Sequence, residues 1–168
     1  MALNRLYEFK SVLLTAFIFL FVFSLMSGFK SQFPSTLAKK SSDNVSALIN
    51  KGLALDNLGN HIQAIQYYDK ALAIDPNDVD ALYNKGNALD SLGNHTQAIS
   101  YYDKVLDIDP NDVDALYNKG VALAHLGNYT QAISYYDKVL AIDPNDVDAL
   151  NNKEVALDHL RLPITTKK

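Results

Sequence analysis

Apolar residues in the second half of the chain recur at the three- and four-residue spacing of amphipathic helices. One predicted helix covers residues 80–92, with apolar positions at Ala81, Leu82, Ala88, Leu89 and Leu92. A second covers residues 96–108, with apolar positions at Ala98, Ile99, Tyr101, Tyr102, Val105, Leu106 and Ile108. Gly93 and Asn94 suit the left-handed turn that ends a helix, and Pro110 cannot continue the second one. The pattern therefore predicts a helix–turn–helix unit.

This unit recurs along the chain with a constant period. The run Asp-Pro-Asn-Asp-Val-Asp-Ala-Leu occurs at residues 75–82, 109–116 and 143–150, a period of 34 residues. We divide the chain into repeats at residues 45–78, 79–112 and 113–146, followed by a partial fourth repeat or capping helix with a tail at residues 147–168. Such a period predicts a stacked array, because one unit cannot bury its own apolar face.

The second and third repeats are nearly identical. Residues 79–112 and 113–146 differ at five pairs of positions, which are Asn87/Val121, Asp90/Ala124, Ser91/His125, His95/Tyr129 and Asp107/Ala141. The array should therefore repeat its contacts almost unchanged from one unit to the next.

An uncharged, phenylalanine-rich segment covers residues 11–29. Its length suits a retained membrane anchor, and its apolar residues leave no polar face on a helix. A cleaved signal peptide is the alternative, although Leu25 and Met26 suit a cleavage site poorly. We expect residues 1–30 to be a signal anchor or signal peptide and residues 31–44 to be a flexible linker. Basic residues flank both ends of the segment, so the distribution of positive charge does not indicate its orientation. We expect the repeats outside the cytoplasm because short N-terminal anchors usually have that orientation.

The charge of the chain is unevenly distributed. The formal net charge is −4, yet the first 44 residues carry five basic and two acidic side chains, so the acidic excess lies in the repeats. An acidic body is repelled by phosphate backbones, and we therefore expect no nucleic-acid partner. The absence of cysteine excludes disulfides, thiolate metal sites and a nucleophilic thiol.

The repeat unit resembles the tetratricopeptide repeat. The second unit carries the signature of that family at Leu82, Gly86, Leu89, Ala98, Tyr102 and Pro110, and the other two full units carry it at the equivalent positions. The resemblance implies an all-α fold, an α-solenoid of helix-turn-helix repeats with a right-handed superhelix, here after a single N-terminal hydrophobic helix. One departure is Lys85, which precedes the signature glycine where the family has an apolar residue. We expect its alkyl stem to cover apolar surface while its ammonium reaches water.

The resemblance also implies a concave groove lined by the first helix of each repeat, called helix A below. The groove positions of the family fall on Asn50, Asn84, Asn118, Asn152, Tyr83, Tyr117, Asp80, Asp114 and Asn87. One asparagine per repeat offers a donor and an acceptor to an extended peptide backbone. The alternative is that the asparagines are family consensus repeated by copying. The aspartates have an alternative role as well, since negative charge stabilises a helix N-terminus.

Chaperone-binding members of the family hold a C-terminal carboxylate with lysine, asparagine and arginine in the groove. The equivalent positions here hold Asp80 and Asp114, and tyrosine or isoleucine replaces the clamp lysine. We therefore expect no such clamp. Neutral or basic segments are the expected ligands, helped by tyrosine faces that accept cations.

Catalysis and metal binding find little support in the sequence. There is no nucleophile paired with a base and no glycine-rich phosphate loop. The aspartate-rich turns lack the glycine and glutamate of a calcium loop, so capping is their expected role. The four histidines, His61, His95, His125 and His159, are too scattered to predict a zinc site. We expect no enzymatic activity, no cofactor and no metal.

The sequence thus predicts a non-catalytic, membrane-tethered scaffold that binds a protein or extended peptide in its groove. Self-association by end-to-end stacking is the alternative function, because Val155, Leu157 and Leu160 keep an apolar face on the last helix. Secretion after signal cleavage is the alternative location.

Overall fold

The structure is a computed structural model that describes residues 33–161. Seven helices occupy this part of the chain, and they are α1 (Phe33–Asp56), α2 (His61–Ile74), α3 (Val79–Ser91), α4 (His95–Ile108), α5 (Val113–His125), α6 (Tyr129–Ile142) and α7 (Val147–Arg161). They form three A–B helix pairs and one terminal helix. The hydrophobic helix predicted for residues 11–29 lies outside the described residues. Among the helices between residues 33 and 161, none combines the length and the apolar composition that a membrane span requires.

Helix α1 begins earlier than the first repeat was expected to begin. It starts at Phe33, so residues 33–44 are helical where the sequence analysis expected a flexible linker. Pro34 permits this start, because the first turn of a helix has no intrahelical use for its amide hydrogens. The compact unit that carries the repeats begins at Asn44.

Two kinds of turn separate the helices. Between α3 and α4, Gly93 has φ of 77°, and Asn94 N–H donates to Leu89 C=O at 2.9 Å while Gly93 N–H donates to Asp90 C=O at 2.8 Å. This pair of bonds is the Schellman arrangement that satisfies the last carbonyls of a helix. Before α5, the carboxylate of Asp112 accepts from Ala115 N–H at 2.8 Å and caps the helix.

Close approach of the two helices in each repeat depends on a glycine. The rings of Tyr68, Tyr102 and Tyr136 are buried, and each lies against a glycine of helix A. A Cβ atom added at Gly86 would lie 2.6 Å from Cε1 of Tyr102. No other residue type leaves room for the ring, so the glycine sets the distance between α3 and α4.

Successive repeats are joined by the lysine that precedes this glycine. Lys85 is 9% exposed, and its ammonium pairs with Asp69 of the preceding repeat and donates to Tyr101 Oη at 2.6 Å. Lys119 contacts Asp103 and Tyr135 in the same way. The expectation that the ammonium extends into water was therefore wrong at Lys85. Its charge is matched at the boundary between two repeats by Asp69, whose side chain is 54% exposed, because a largely buried ammonium needs a partner.

Candidate functional site

Helices α1, α3 and α5, the A helices of the three full repeats, together line one cleft. α3 and α5 contact each other directly, as do α5 and α7, so the A helices share one face of the repeat unit. The cleft has a volume of about 510 Å³, and its walls are Ser46, Ile49, Asn50, Leu53, Asp78, Val79, Asp80, Tyr83, Asn84, Asp112 and Asp114. Of the nine predicted groove residues, Asn50, Asp80, Tyr83, Asn84 and Asp114 lie here.

The predicted residue Asn152 lies elsewhere. It lines a second cleft of about 350 Å³ between α5 and α7, together with Val121, Ala124, His125, Tyr129, Tyr136, Val155, Ala156 and His159. The remaining predicted residues Asn87, Tyr117 and Asn118 line neither cleft. Five of the nine positions thus line the first cleft, and Asn118 contacts its wall through the hydrogen bond to Tyr83.

The first cleft is acidic. Four aspartates line it, and none of its lining residues is lysine or arginine. Asp78 and Asp112 are N-caps whose carboxylates accept backbone bonds from Ala81 and Ala115, each at 2.8 Å. Asp80 and Asp114 are exposed in the first turn of their helices, where the helix dipole favours negative charge. The two roles considered for these aspartates are thus compatible, because a first-turn carboxylate here also faces the cleft.

The asparagines and tyrosines of successive A helices bond to each other. Asn118 Nδ2 donates to Tyr83 Oη at 2.8 Å, and Asn152 Nδ2 donates to Tyr117 Oη at 2.6 Å. For Asn84, the equivalent position in the preceding repeat is Ile49 and not tyrosine. The Asn84 amide donates instead to Asp80 C=O of its own helix at 2.8 Å. Part of the hydrogen-bonding capacity of Asn118 and Asn152 is therefore used to join repeats, a role that the sequence analysis did not anticipate.

Asn87 also contributes to packing. Its Oδ1 accepts from Tyr102 Oη at 2.9 Å and from Asn118 Nδ2 at 3.4 Å. Tyr83 lies beside this group, with its ring centroid 6.3 Å from that of Tyr102. Burial raises the pKa of the Tyr83 phenol, and Asp114 and Asp112 raise it further, against the opposing effect of hydrogen bonds with Asn87 and Asn118. The phenol remains protonated at neutral pH, so the network holds its hydrogen bonds.

The structure brings together side chains that the sequence analysis considered too scattered. His95 Nδ1 lies 2.7 Å from Asp90 Oδ1, and the ring centroids of His95 and His125 are 4.6 Å apart. For the separation of these two histidines the expectation was wrong, because it used sequence distance alone. The turn between α3 and α4 lies beside the end of α5, so equivalent ends of neighbouring repeats meet.

Comparison with known proteins identifies the repeats. The sequence profile described as tetratricopeptide repeat matches residues 32–79, 50–113 and 83–147. No curated protein sequence gives a significant match to the chain.

Several solved structures share the fold. The chain is similar to the first TPR of Spaghetti (RPAP3) bound to HSP90 peptide SRMEEVD, with 24% identity, a TM-score of 0.70, and coverage of 72% of this chain and 96% of that one. It is similar to the second TPR domain of human RPAP3 in complex with HSP70 peptide SGPTIEEVD, with 18% identity, a TM-score of 0.66, and coverage of 70% and 98%.

A third similar structure is YrrB, described as a TPR protein with an unusual peptide-binding site. The identity is 31% and the TM-score 0.63, and the match covers 66% of this chain and 57% of that one. The profile match spans more than half of the sequence, the helices pair as its repeats require, and the chain belongs to the tetratricopeptide repeat family.

Proposed function

We propose that the protein is a non-catalytic scaffold that binds an extended protein segment in the cleft lined by α1, α3 and α5. The observation that carries this proposal is the cleft itself, in which three successive A helices present polar side chains to one open space. The likeness to two structures described with bound peptides supports the same role. Extended concave surfaces of stacked repeats suit such binding.

The charge of the cleft favours a neutral or basic ligand. The peptides SRMEEVD and SGPTIEEVD both end in Glu-Glu-Val-Asp, so three of their last four residues are acidic. In this chain the cleft carries Asp78, Asp80, Asp112 and Asp114, and none of its lining residues is basic. A carboxylate-rich peptide would meet like charge there, whereas lysine or arginine would find both carboxylates and the face of Tyr83.

Binding of two peptides of equal length to the full chain tests this proposal. We expect a lysine-containing peptide to bind and its glutamate counterpart to bind more weakly, with affinity for the first falling as salt rises. Asp80→Asn combined with Asp114→Asn should weaken the basic peptide about 5- to 10-fold, since each exposed pair contributes up to about 1 kcal/mol.

A control variant separates cleft charge from total charge. Asp107→Asn combined with Asp158→Asn removes the same number of charges from exposed sites outside the cleft and should change affinity little. Equal losses in both double variants, or tighter binding of the acidic peptide, would contradict the proposed ligand class.

We further propose that residues 11–29 tether the repeats to a membrane and that the repeats lie outside the cytoplasm. The segment carries no charged residue and is close to the length that a membrane-spanning helix needs. Protease digestion of intact cells tests it. Loss of the repeats without membrane disruption is the expected result, and full protection would place them inside. If the chain is instead recovered from the soluble fraction with residues 1–30 already removed, secretion after signal cleavage is favoured.

Self-assembly is a second candidate function, supported by the last helix. The side chains of Val147, Leu150, Val155 and Leu160 on α7 are exposed. A further repeat, or the first repeat of another copy, would cover this face. Sedimentation of the full chain against Leu150→Lys combined with Val155→Lys tests the idea. Concentration-dependent growth that the variant loses supports stacking, and identical behaviour of both chains contradicts it.

A further inference from the structure

Three metal-ligating side chains meet where the second and third repeats pack. Asp90 lies at the end of α3, His95 begins α4, and His125 ends α5. One ligand atom of each lies within 4.8 Å of the others, and the two imidazole rings meet edge to face at 73°. Asp90 and His95 are partly exposed and His125 is exposed, so an ion and water can reach the group from solvent.

We propose that Asp90, His95 and His125 form a binding site for a divalent transition-metal ion, with Zn²⁺ as the probe of choice. Imidazole nitrogen and carboxylate oxygen are ordinary zinc ligands, and three protein ligands with water in the fourth position make a complete tetrahedral set. Ligand atoms around tetrahedral zinc lie about 3.3 Å apart, given zinc–nitrogen distances near 2.0 Å. The three ligand atoms lie within 4.8 Å of one another, and side-chain rotations of the exposed His125 and of the partly exposed Asp90 and His95 would bring them to this spacing.

The other repeat boundaries are incomplete versions of the same group. The boundary between the first and second repeats places Asp56, His61 and Ser91 at the equivalent positions. The boundary between the third repeat and α7 places Ala124, Tyr129 and His159 there. Of the five differences between the two nearly identical repeats, three fall on this group: Asp90/Ala124, Ser91/His125 and His95/Tyr129. Near-identical units thus differ mostly where the middle boundary acquires all three ligands.

A purely structural role explains only part of this arrangement. His61 Nδ1 lies 2.6 Å from Asp56 Oδ1, the same contact as His95 with Asp90, and there the third position is serine. The hydrogen bond across the helix turn therefore forms without a second histidine. His125 adds a potential metal-ligand atom that the hydrogen bond within the turn does not require.

An ion at this site would join two repeats. Asp90 and His95 belong to the second repeat and His125 to the third, so the metal would fasten the end of α5 to the turn between α3 and α4. Binding to the folded array alone would stabilise it by mass action. The same contact would hold α3 and α5 in the relative position that shapes the acidic cleft.

Equilibrium dialysis of the untagged full chain against zinc, followed by thermal unfolding, tests the proposal. We expect one ion per chain and a rise in melting temperature. Three variants, each copying a residue from an equivalent boundary, should abolish or weaken binding at least tenfold: Asp90→Ala, His95→Tyr and His125→Ser. Because the array already accommodates these residues at the other boundaries, the variants should keep the helical circular dichroism of the parent.

A gain-of-site variant supplies the matched control. Ser91→His completes the group with Asp56 and His61 at the first boundary, so the stoichiometry should rise to two ions per chain. No binding to the parent chain overturns the proposal. Unchanged zinc affinity in all three loss variants also overturns it, since the ion would then be held by other residues. Loss in those variants together with gain in Ser91→His establishes the site.

Discussion

The first and second repeats share one helical arrangement but differ in the surroundings of their buried tyrosine. Tyr102 Oη donates to Asn87 Oδ1 at 2.9 Å. In the first repeat residue 53 is leucine at the position of Asn87, and Tyr68 Oη is buried with no hydrogen-bond partner among the described residues. Both rings nevertheless pack against their glycine. Apolar packing and the close approach of the two helices therefore form the repeat, while its polar contacts vary between copies.

The same contrast appears on helix A. Tyr83 of the second repeat accepts a bond from Asn118 of the third, whereas Ile49 of the first repeat has no hydroxyl for Asn84. The boundary between the first two repeats is consequently held with fewer polar bonds at this position. An array built from similar units can therefore have boundaries of unequal strength.

Alkaline pH should have the largest effect and should affect the second repeat more than the first. Burial raises the pKa of Tyr68 to about 12, and Asp56 adds to the shift. In the second repeat, burial raises the pKa of Tyr102 and of Tyr83. Burial lowers the pKa of Lys85, but its hydrogen bonds to Asp69 and Tyr101 outweigh that effect and the net shift is upward.

The sign of the pH effect follows from these upward shifts. A group with a raised folded pKa contributes its stability below the unfolded value, near 10 for tyrosine, and loses it as pH rises through the folded pKa. The unfolded chain then holds fewer protons, so the free energy of unfolding should fall steadily above about pH 10. Urea unfolding at a series of pH values measures it. A free energy that stays constant from about pH 9 to 11 would contradict this expectation.

Substitution of the glycine that contacts the tyrosine ring should lower the free energy of unfolding by a similar amount in both repeats. Gly86→Ala places Cβ 2.6 Å from Cε1 of Tyr102, and the same ring contact exists at Gly52. Overpacking costs about 1–3 kcal/mol, and the better helix preference of alanine returns up to about 1 kcal/mol. We expect a net loss of about 1–2 kcal/mol for either variant in urea unfolding. Ser91→Ala, exposed on the same helix as Gly86, should stay within about 0.5 kcal/mol.

The tyrosine hydroxyl should distinguish the two repeats. Tyr102→Phe removes the donor to Asn87 and should cost about 1 kcal/mol. Tyr68→Phe removes a buried hydroxyl without a partner among the described residues, and its stability should be unchanged or higher. Chemical denaturation of both variants provides the measurement. Equal destabilisation by the two changes would show that the hydroxyl of Tyr68 makes a bond of similar strength.

The asparagines of helix A should give the smallest difference. Asn118→Ala loses the bond to Tyr83 and should cost about 0.5–1.5 kcal/mol. Asn84→Ala loses only a bond within its own exposed helix turn and should stay within about 0.5 kcal/mol. Peptide affinity provides the second readout. Because Asn84 lines the acidic cleft and Asn118 does not, Asn84→Ala should weaken binding more, and the opposite order would contradict the proposed cleft.

Much of the repeat could be read from local pattern. Helices predicted at residues 80–92 and 96–108 occur at Val79–Ser91 and His95–Ile108, because amphipathic spacing and turn residues act within a few positions. The cap at Asp112 and the left-handed Gly93 follow from the same local rules. The start of α1 at Phe33 was missed, because a segment rich in serine and lysine can be helical or irregular depending on what it adjoins.

The candidate site was predictable only in part. Asp80 and Asn84 could be placed on helix A from the family pattern, and they do line the cleft. The bonds from Asn118 to Tyr83 and from Lys85 to Asp69 join different repeats. Their formation depends on the distance and rotation between helices, which no local pattern specifies.

The repeat unit follows from the amino-acid sequence alone: its period, its two helices, its turns and the glycine that leaves room for a tyrosine ring. These depend on backbone preference and apolar spacing over a few residues. The contacts between side chains of neighbouring units depend on how the helices pack in three dimensions. Stacking brought Asp90 and His95 beside His125 and gathered four aspartates from two helix starts into one cleft. Such contacts arise from the distance and rotation between helices. The constant period places equivalent positions at every boundary between repeats. The residues at those positions differ, so each boundary has its own chemistry.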